Sequence, residues 1–198
     1  MMRNLLISAL LVVMMVGATN AAFAWDGKRK GFILGIGLGP GFTSFNQSLK
    51  SGGISITSDR QNELSFMSDF KIGYAPNNLW QIHWMSKISW FGLENAFGDN
   101  VTIANGFGGV GATYSFYEGA PSPFLSGGIG FSTWATPFEE GSDTMYGFGI
   151  VLGGGYEFSK HWSLGFDLLW GKPSKDEGGG EFSTNALSLK FTINVLAY

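Results

Sequence analysis

The chain has 198 residues, with 12 Lys+Arg against 15 Asp+Glu, a formal net charge of −3, and no cysteine. That balance leaves no basic footprint for nucleic acid, and zero Cys excludes a disulfide framework, a Cys-ligated metal site and a lipidated N-terminal Cys. Charged residues make up only 14%, while aromatics reach 16% and glycine occupies 31 positions; soluble domains carry about 25% charge, so the composition argues against a cytosolic enzyme.

Arg3 lies in a short basic n-region, Leu5 to Val16 form an apolar run, and Ala22-Phe23-Ala24 matches a small-residue cleavage site. Residues 1–24 therefore read as a cleaved signal peptide and 25–198 as a single domain. An apolar run of about 12 residues falls short of the roughly 20 that a helical span requires.

Beyond it the apolar period is 2, the period of a strand. In chain order, Phe32, Leu34, Ile36, Leu38 and Phe42 oppose glycines. Leu64, Phe66, Phe70, Ile72 and Tyr74 then oppose Glu63, Ser65, Asp69 and Lys71. Trp80, Ile82, Trp84, Ile88 and Trp90 oppose Gln81, His83, Lys87 and Ser89. The fourth segment is in phase only from Val110 to Phe116, and its start near Ile103 predicts a bulge or a longer loop. The fifth runs from Phe124 to Trp134, the sixth from Tyr146 to Tyr156, the seventh from Trp162 to Trp170 and the eighth from Leu187 to Val195. Eight strands of about ten residues suit an antiparallel up-and-down transmembrane β-barrel, an all-β fold.

Residues 75–78, 118–122 and 159–161 are tight turns, whereas 44–62, 91–102, 135–143 and 171–185 are longer polar connections. Strict alternation puts the short turns and both termini at one end, the periplasmic end of an outer-membrane barrel, and four long loops at the other. Tyr74, Trp80, Phe116, Phe158 and Trp162 fall near the short turns, and Trp90, Trp134 and Trp170 near the long loops; together they predict two membrane-interface belts. The apolar face then meets lipid and the Gly-, Ser- and charge-bearing face fills a narrow interior.

Glu63, Asp69, Lys71, His83, Lys87, Glu157, Asp167 and Lys190 are the predicted interior charge network. Asp69, Lys71 and His83 are expected close together, and Asp167 opposite Lys190. Paired charges imply a closed barrel; a gated ion path is the alternative. Lys28, Arg29 and Lys30 are expected at the periplasmic lip.

In architecture the whole mature chain resembles the small eight-stranded outer-membrane barrels of the OmpA, OmpX and OmpW type, and the stretches Ser126–Phe131, Gly153–Phe158 with His161 and Trp162, and Leu189–Tyr198 resemble strand segments of the outer-membrane β-barrel-domain family. The resemblance implies insertion by the barrel-assembly machinery through a C-terminal aromatic, for which Tyr198 stands, although it is in phase with Leu196 rather than with the lipid face. It also implies contact with outer-membrane lipid and lipopolysaccharide in a Gram-negative outer membrane. A monomer is expected.

Catalysis by a lipid-modifying barrel would need a nucleophile activated by a nearby base. His83 points inward while Ser86 points outward, and His161 lies in a turn beside Ser159 and Ser163. No carboxylate is placed to orient either His. The expectation is no enzyme, no cofactor and no metal; the acidic Glu139, Glu140, Asp143, Asp176, Glu177 and Glu181 match no calcium loop. The predicted role is structural or surface-interacting through the outer loops, with a narrow channel for ions or small apolar solutes as the alternative and a lipid-modifying enzyme as a second.

Overall fold

The computed structural model describes residues 28–94, 98–139 and 143–198. The expected signal peptide and Glu140 lie outside them. Nine strands form: β1 (Gly31–Ser51), β2 (Ile54–Thr57), β3 (Gln61–Ala75), β4 (Trp80–Glu94), β5 (Asn100–Ser115), β6 (Ser122–Ala135), β7 (Met145–Ser159), β8 (Trp162–Glu177) and β9 (Gly180–Ala197). β1 pairs antiparallel with β3, each strand from β3 to β8 pairs antiparallel with the next, and β1 pairs with β9 to close the ring. Eight strands thus make an up-and-down barrel, while β2 is a short extra arm on β1. Closure satisfies the backbone groups that an open sheet would leave at its edges.

The period-2 pattern sorts side chains as expected. Large apolar residues of all eight barrel strands face outward, among them Ile36 (62% exposed) on β1 and Leu64 (83%) on β3. Their neighbours in sequence, such as Gly35, Ser65, Gln81, Thr113 and Ser163, face the lumen and are buried.

Two expectations about elements need correction. No bulge interrupts β5: its register with β4 and β6 is continuous from end to end. The apparent phase slip arises because Ile103 and Phe107 are large apolar residues that point inward, while Gly106 and Gly108 occupy the outer face. The rings and side chains of neighbouring strands cover those outer glycines; a Cβ at Gly108 would meet the Phe131 ring at 2.6 Å.

Strands are also longer than about ten residues, the length that crosses hydrocarbon, because several run past the rim. β1 spans 21 residues and β9 spans 18. Residues 44–62 and 171–185, expected as loops, are mostly hairpin arms closed by Gly52-Gly53 and Gly178-Gly179. All four of these glycines have positive φ, between 57° and 85°, and two consecutive positive-φ residues are the requirement of a two-residue type I′ turn. Ser44–Ser51 of β1 pair with Gly180–Leu187 of β9, so the arms project as one continuous sheet with β2 and β8 at its sides.

Candidate functional site: the barrel lumen

From the long-loop end downward, the lumen is filled in layers. At the top, Phe45, Phe91, Ile103, Trp134, Met145 and Ala186 form an apolar cluster. The Phe45 and Trp134 rings lie 4.8 Å apart and Phe91 and Trp134 5.7 Å apart. Trp134 is only 5% exposed, so it belongs to this internal closure rather than to the membrane-interface belt expected of it. The reason is its parity on β6: it shares the inward face with Ser132, which is also buried. Tyr74, Trp80, Phe116, Phe158, Trp162 and Trp170 are all exposed, and Trp90 lies on the outer face, where its indole N–H donates to Ser68 at 2.9 Å.

Beneath the aromatic layer Thr43 bonds Ser65 (3.0 Å) and Ser188 (2.8 Å), and Asn105 donates to Ser188 at 3.1 Å. These small polar residues tie β1, β3, β5 and β9 together across the narrow interior.

The charge cluster follows. Lys87 on β4 contacts Asp69 on β3 and Asp167 on β8, each at 2.6 Å. Lys190 on β9, fully buried, lies 3.7 Å from Asp69. The register places Asp69 opposite Lys87 and Asp167 opposite Lys190. Asp167 nonetheless bonds Lys87 across the lumen instead of its strand neighbour. Met85, Phe107, Val151 and Leu169 pack as an apolar cluster in the same part of the barrel, and the low local dielectric strengthens the Coulomb attraction.

Lower still, His83 Nε2 lies 3.0 Å from the Thr113 hydroxyl, and Lys71 donates to Gln81 at 3.3 Å. Lys71, His83 and Asp69 thus sit on one side of the lumen as expected, but only Asp69 joins the ion cluster. Glu63 stands near the loop end of β3, half-buried, and makes no ion pair among the described residues.

The bottom is closed by Arg29, which is 1% exposed. Its guanidinium donates to Glu157 (2.8 Å), to the Asn78 carbonyl (3.1 Å) and to the Tyr117 carbonyl (2.5 Å). Tyr198 donates to the other oxygen of Glu157 and packs with Ile33, Ala75 and Leu196. Past the end of β9, burial and then the Glu157 bond push the Tyr198 phenol up to about 12. Tyr198 therefore continues the inward face without a bulge. Arg29, expected only at the lip, inserts into the barrel; its sequence signal was merely one base in a run of three, so spacing could not single it out.

The histidines are committed to structure. His161 adopts φ 69°, its Nδ1 lies 2.8 Å from the Leu196 carbonyl, and its ring packs 4.8 Å from Tyr198. Ser163 faces the lumen, buried. On the outer arms, Asp143 pairs with Lys175 and Glu181 with Lys50, and no group of three potential metal ligands occurs among the described residues.

No protein-family model matches the chain, and no curated protein matches it. Solved structures do. Neisserial surface protein A is 13% identical, with 84% of this chain and 97% of that one covered at a TM-score of 0.44. The outer membrane protein OprG from Pseudomonas aeruginosa is 12% identical, covering 87% and 98% at 0.47. The attachment invasion locus protein Ail of Yersinia pestis, solved with the heparin analogue sucrose octasulfate, is 12% identical, covering 82% and 99% at 0.36.

Proposed function

We propose that this chain is an integral β-barrel of a Gram-negative outer membrane, closed to solute flow, that acts by presenting its outer hairpins at the cell surface. The observation that carries the reading is the inversion of the barrel: apolar side chains cover the outside of all eight strands, while the buried charges and most buried polar groups lie inside, between apolar clusters. Soluble monomers rarely expose apolar patches beyond a few hundred Å², so a band continuous around the barrel calls for lipid. Outward aromatics near each rim suit the headgroup levels on either side. In this setting the short turns and Arg29 face the periplasm, and the projecting β1, β2, β8 and β9 arms contact lipopolysaccharide or surface partners. Delivery by the barrel-assembly machinery and a monomeric state complete the proposal.

Closure at three levels speaks against a channel for ions or small apolar solutes: the aromatic layer, the Lys87 cluster and the Arg29 latch each cross the lumen. The committed histidines supply no base next to an outward-facing nucleophile, which speaks against a lipid-modifying enzyme. Gel mobility of the purified barrel in detergent, with and without boiling, tests the membrane assignment; a band that does not shift, or a protein that stays soluble without detergent, would refute it. Planar-bilayer recording tests closure, and discrete unitary currents from the native chain would refute that part.

A further inference from the structure

The lumen charges pair off unevenly. Lys87 and Lys190 offset Asp69 and Asp167, and Arg29 offsets Glu157. Lys71 is left over: its ammonium has the Gln81 carbonyl oxygen at 3.3 Å and no carboxylate in ion-pair contact among the described residues. The protein makes room for it deliberately, since a Cβ at the register partner Gly35 would fall 2.8 Å from Lys71 Cγ. Beside it lies a cavity of about 50 Å³, lined by Lys71, His83, Thr113, Ser163 and Asn194 and also by Asp69 and Asp167, whose carboxylates are engaged by Lys87. One water needs roughly 10–15 Å³ on this measure, so the space holds a small ion together with water.

Two further polar atoms belong to the same lining, apart from Asp69 Oδ1, which faces Lys190 at 3.7 Å. His83 Nδ1 and Ser163 Oγ are buried and have no hydrogen-bond partner. In the tautomer whose Nε2 accepts from the Thr113 hydroxyl, Nδ1 carries the proton and can donate it into the cavity. An unpaired buried cation beside orphaned buried donors is costly unless something negative meets them.

We propose that this cavity binds one small monovalent anion of halide size, held by Lys71 with His83 and Ser163 as hydrogen-bond donors. A single negative charge neutralises the single excess positive one, whereas a doubly charged oxyanion would overshoot it. Arg29 closes the periplasmic side below, so the ion enters as the barrel folds and exchanges slowly afterwards.

The test is to refold the full mature barrel in sodium bromide, crystallise it, and record bromine anomalous scattering for the native chain and for Lys71→Met. One anomalous peak beside Lys71 Nζ, lost in Lys71→Met, is expected; no peak in the native chain, or one that persists in the variant, overturns the proposal. Should Lys71→Met fail to fold, the native chain decides alone, by its peak and by its thermal midpoint. Barrel refolded in bromide is expected to melt higher than barrel refolded in gluconate of equal ionic strength, and equal midpoints overturn the proposal.

Discussion

Replacing Lys87 by Met removes the one cation that two buried carboxylates share. Asp69 and Asp167 are 7% and 6% exposed at their side chains, and Lys87 holds each at 2.6 Å. In its absence Asp69 keeps only Lys190 at 3.7 Å, and Asp167 has no ion pair among the described residues. Breaking a buried pair by removing one partner costs about 3–5 kcal/mol, because a charge is left uncompensated in a dry interior. Here one residue serves two partners, so the upper part of that range is expected. The assay is reversible urea unfolding in lipid vesicles, followed by tryptophan fluorescence and by gel mobility. The triple change Lys87→Met, Asp69→Asn, Asp167→Asn should recover most of the loss, since neutral amides need no counter-charge. A Lys87→Met barrel within about 1 kcal/mol of the native one, or no recovery in the triple variant, would refute the view that the cluster holds the lumen together.

Trp134→Ala empties the centre of the aromatic layer and should cost about 3–5 kcal/mol; urea unfolding in vesicles reads it, and a loss below about 1 kcal/mol would place Trp134 outside the core. Arg29→Ala leaves Glu157 buried with only Tyr198, so Arg29→Ala is expected to be less stable than Arg29→Ala combined with Glu157→Gln, by thermal melting in detergent. Gly130→Val would force a Cβ to within 2.2 Å of the Gly108 carbonyl oxygen, and the variant should fail to give the compact, heat-modifiable band. Ile54→Asp with Ile56→Asp alters only exposed β2 side chains, so barrel stability should stay within about 0.5 kcal/mol, while binding to any surface partner carried by this arm is lost.

Strand number, alternation and the identity of the outward face were legible in the sequence because each depends on period 2 and on local turn chemistry. In β8, Trp162, Leu164, Phe166, Leu168 and Trp170 all lie on the exposed face that the alternation predicts. Seven of the eight charge-network residues lie along the inward faces of β3, β4, β7, β8 and β9, and Glu63 follows the same parity at the loop end. Phase failed where both faces carried the same kind of residue. Around Ile103 to Phe107, outward glycines hid the alternation, because a Gly carries no apolar side chain to mark the outer face; Thr133 and the Phe131 ring from β6 cover Gly106 and Gly108 instead. The projecting arms were hidden for a related reason: their apolar residues, such as Leu49, Ile54, Ile56 and Phe182, are scattered among many polar ones, so they read as loops.

Partner choice inside the barrel belonged to tertiary structure alone. Register places Lys190 opposite Asp167, yet Asp167 bonds Lys87 from β4, a strand that is not its neighbour. Only closure of the ring brings such strands within reach across a narrow lumen. The same closure draws Arg29 inward onto Glu157 and Tyr198, and turns Trp134 from an expected rim aromatic into an internal seal. The sequence by itself determined that this chain makes a barrel with an apolar exterior; the diameter set by eight strands decided which interior groups meet.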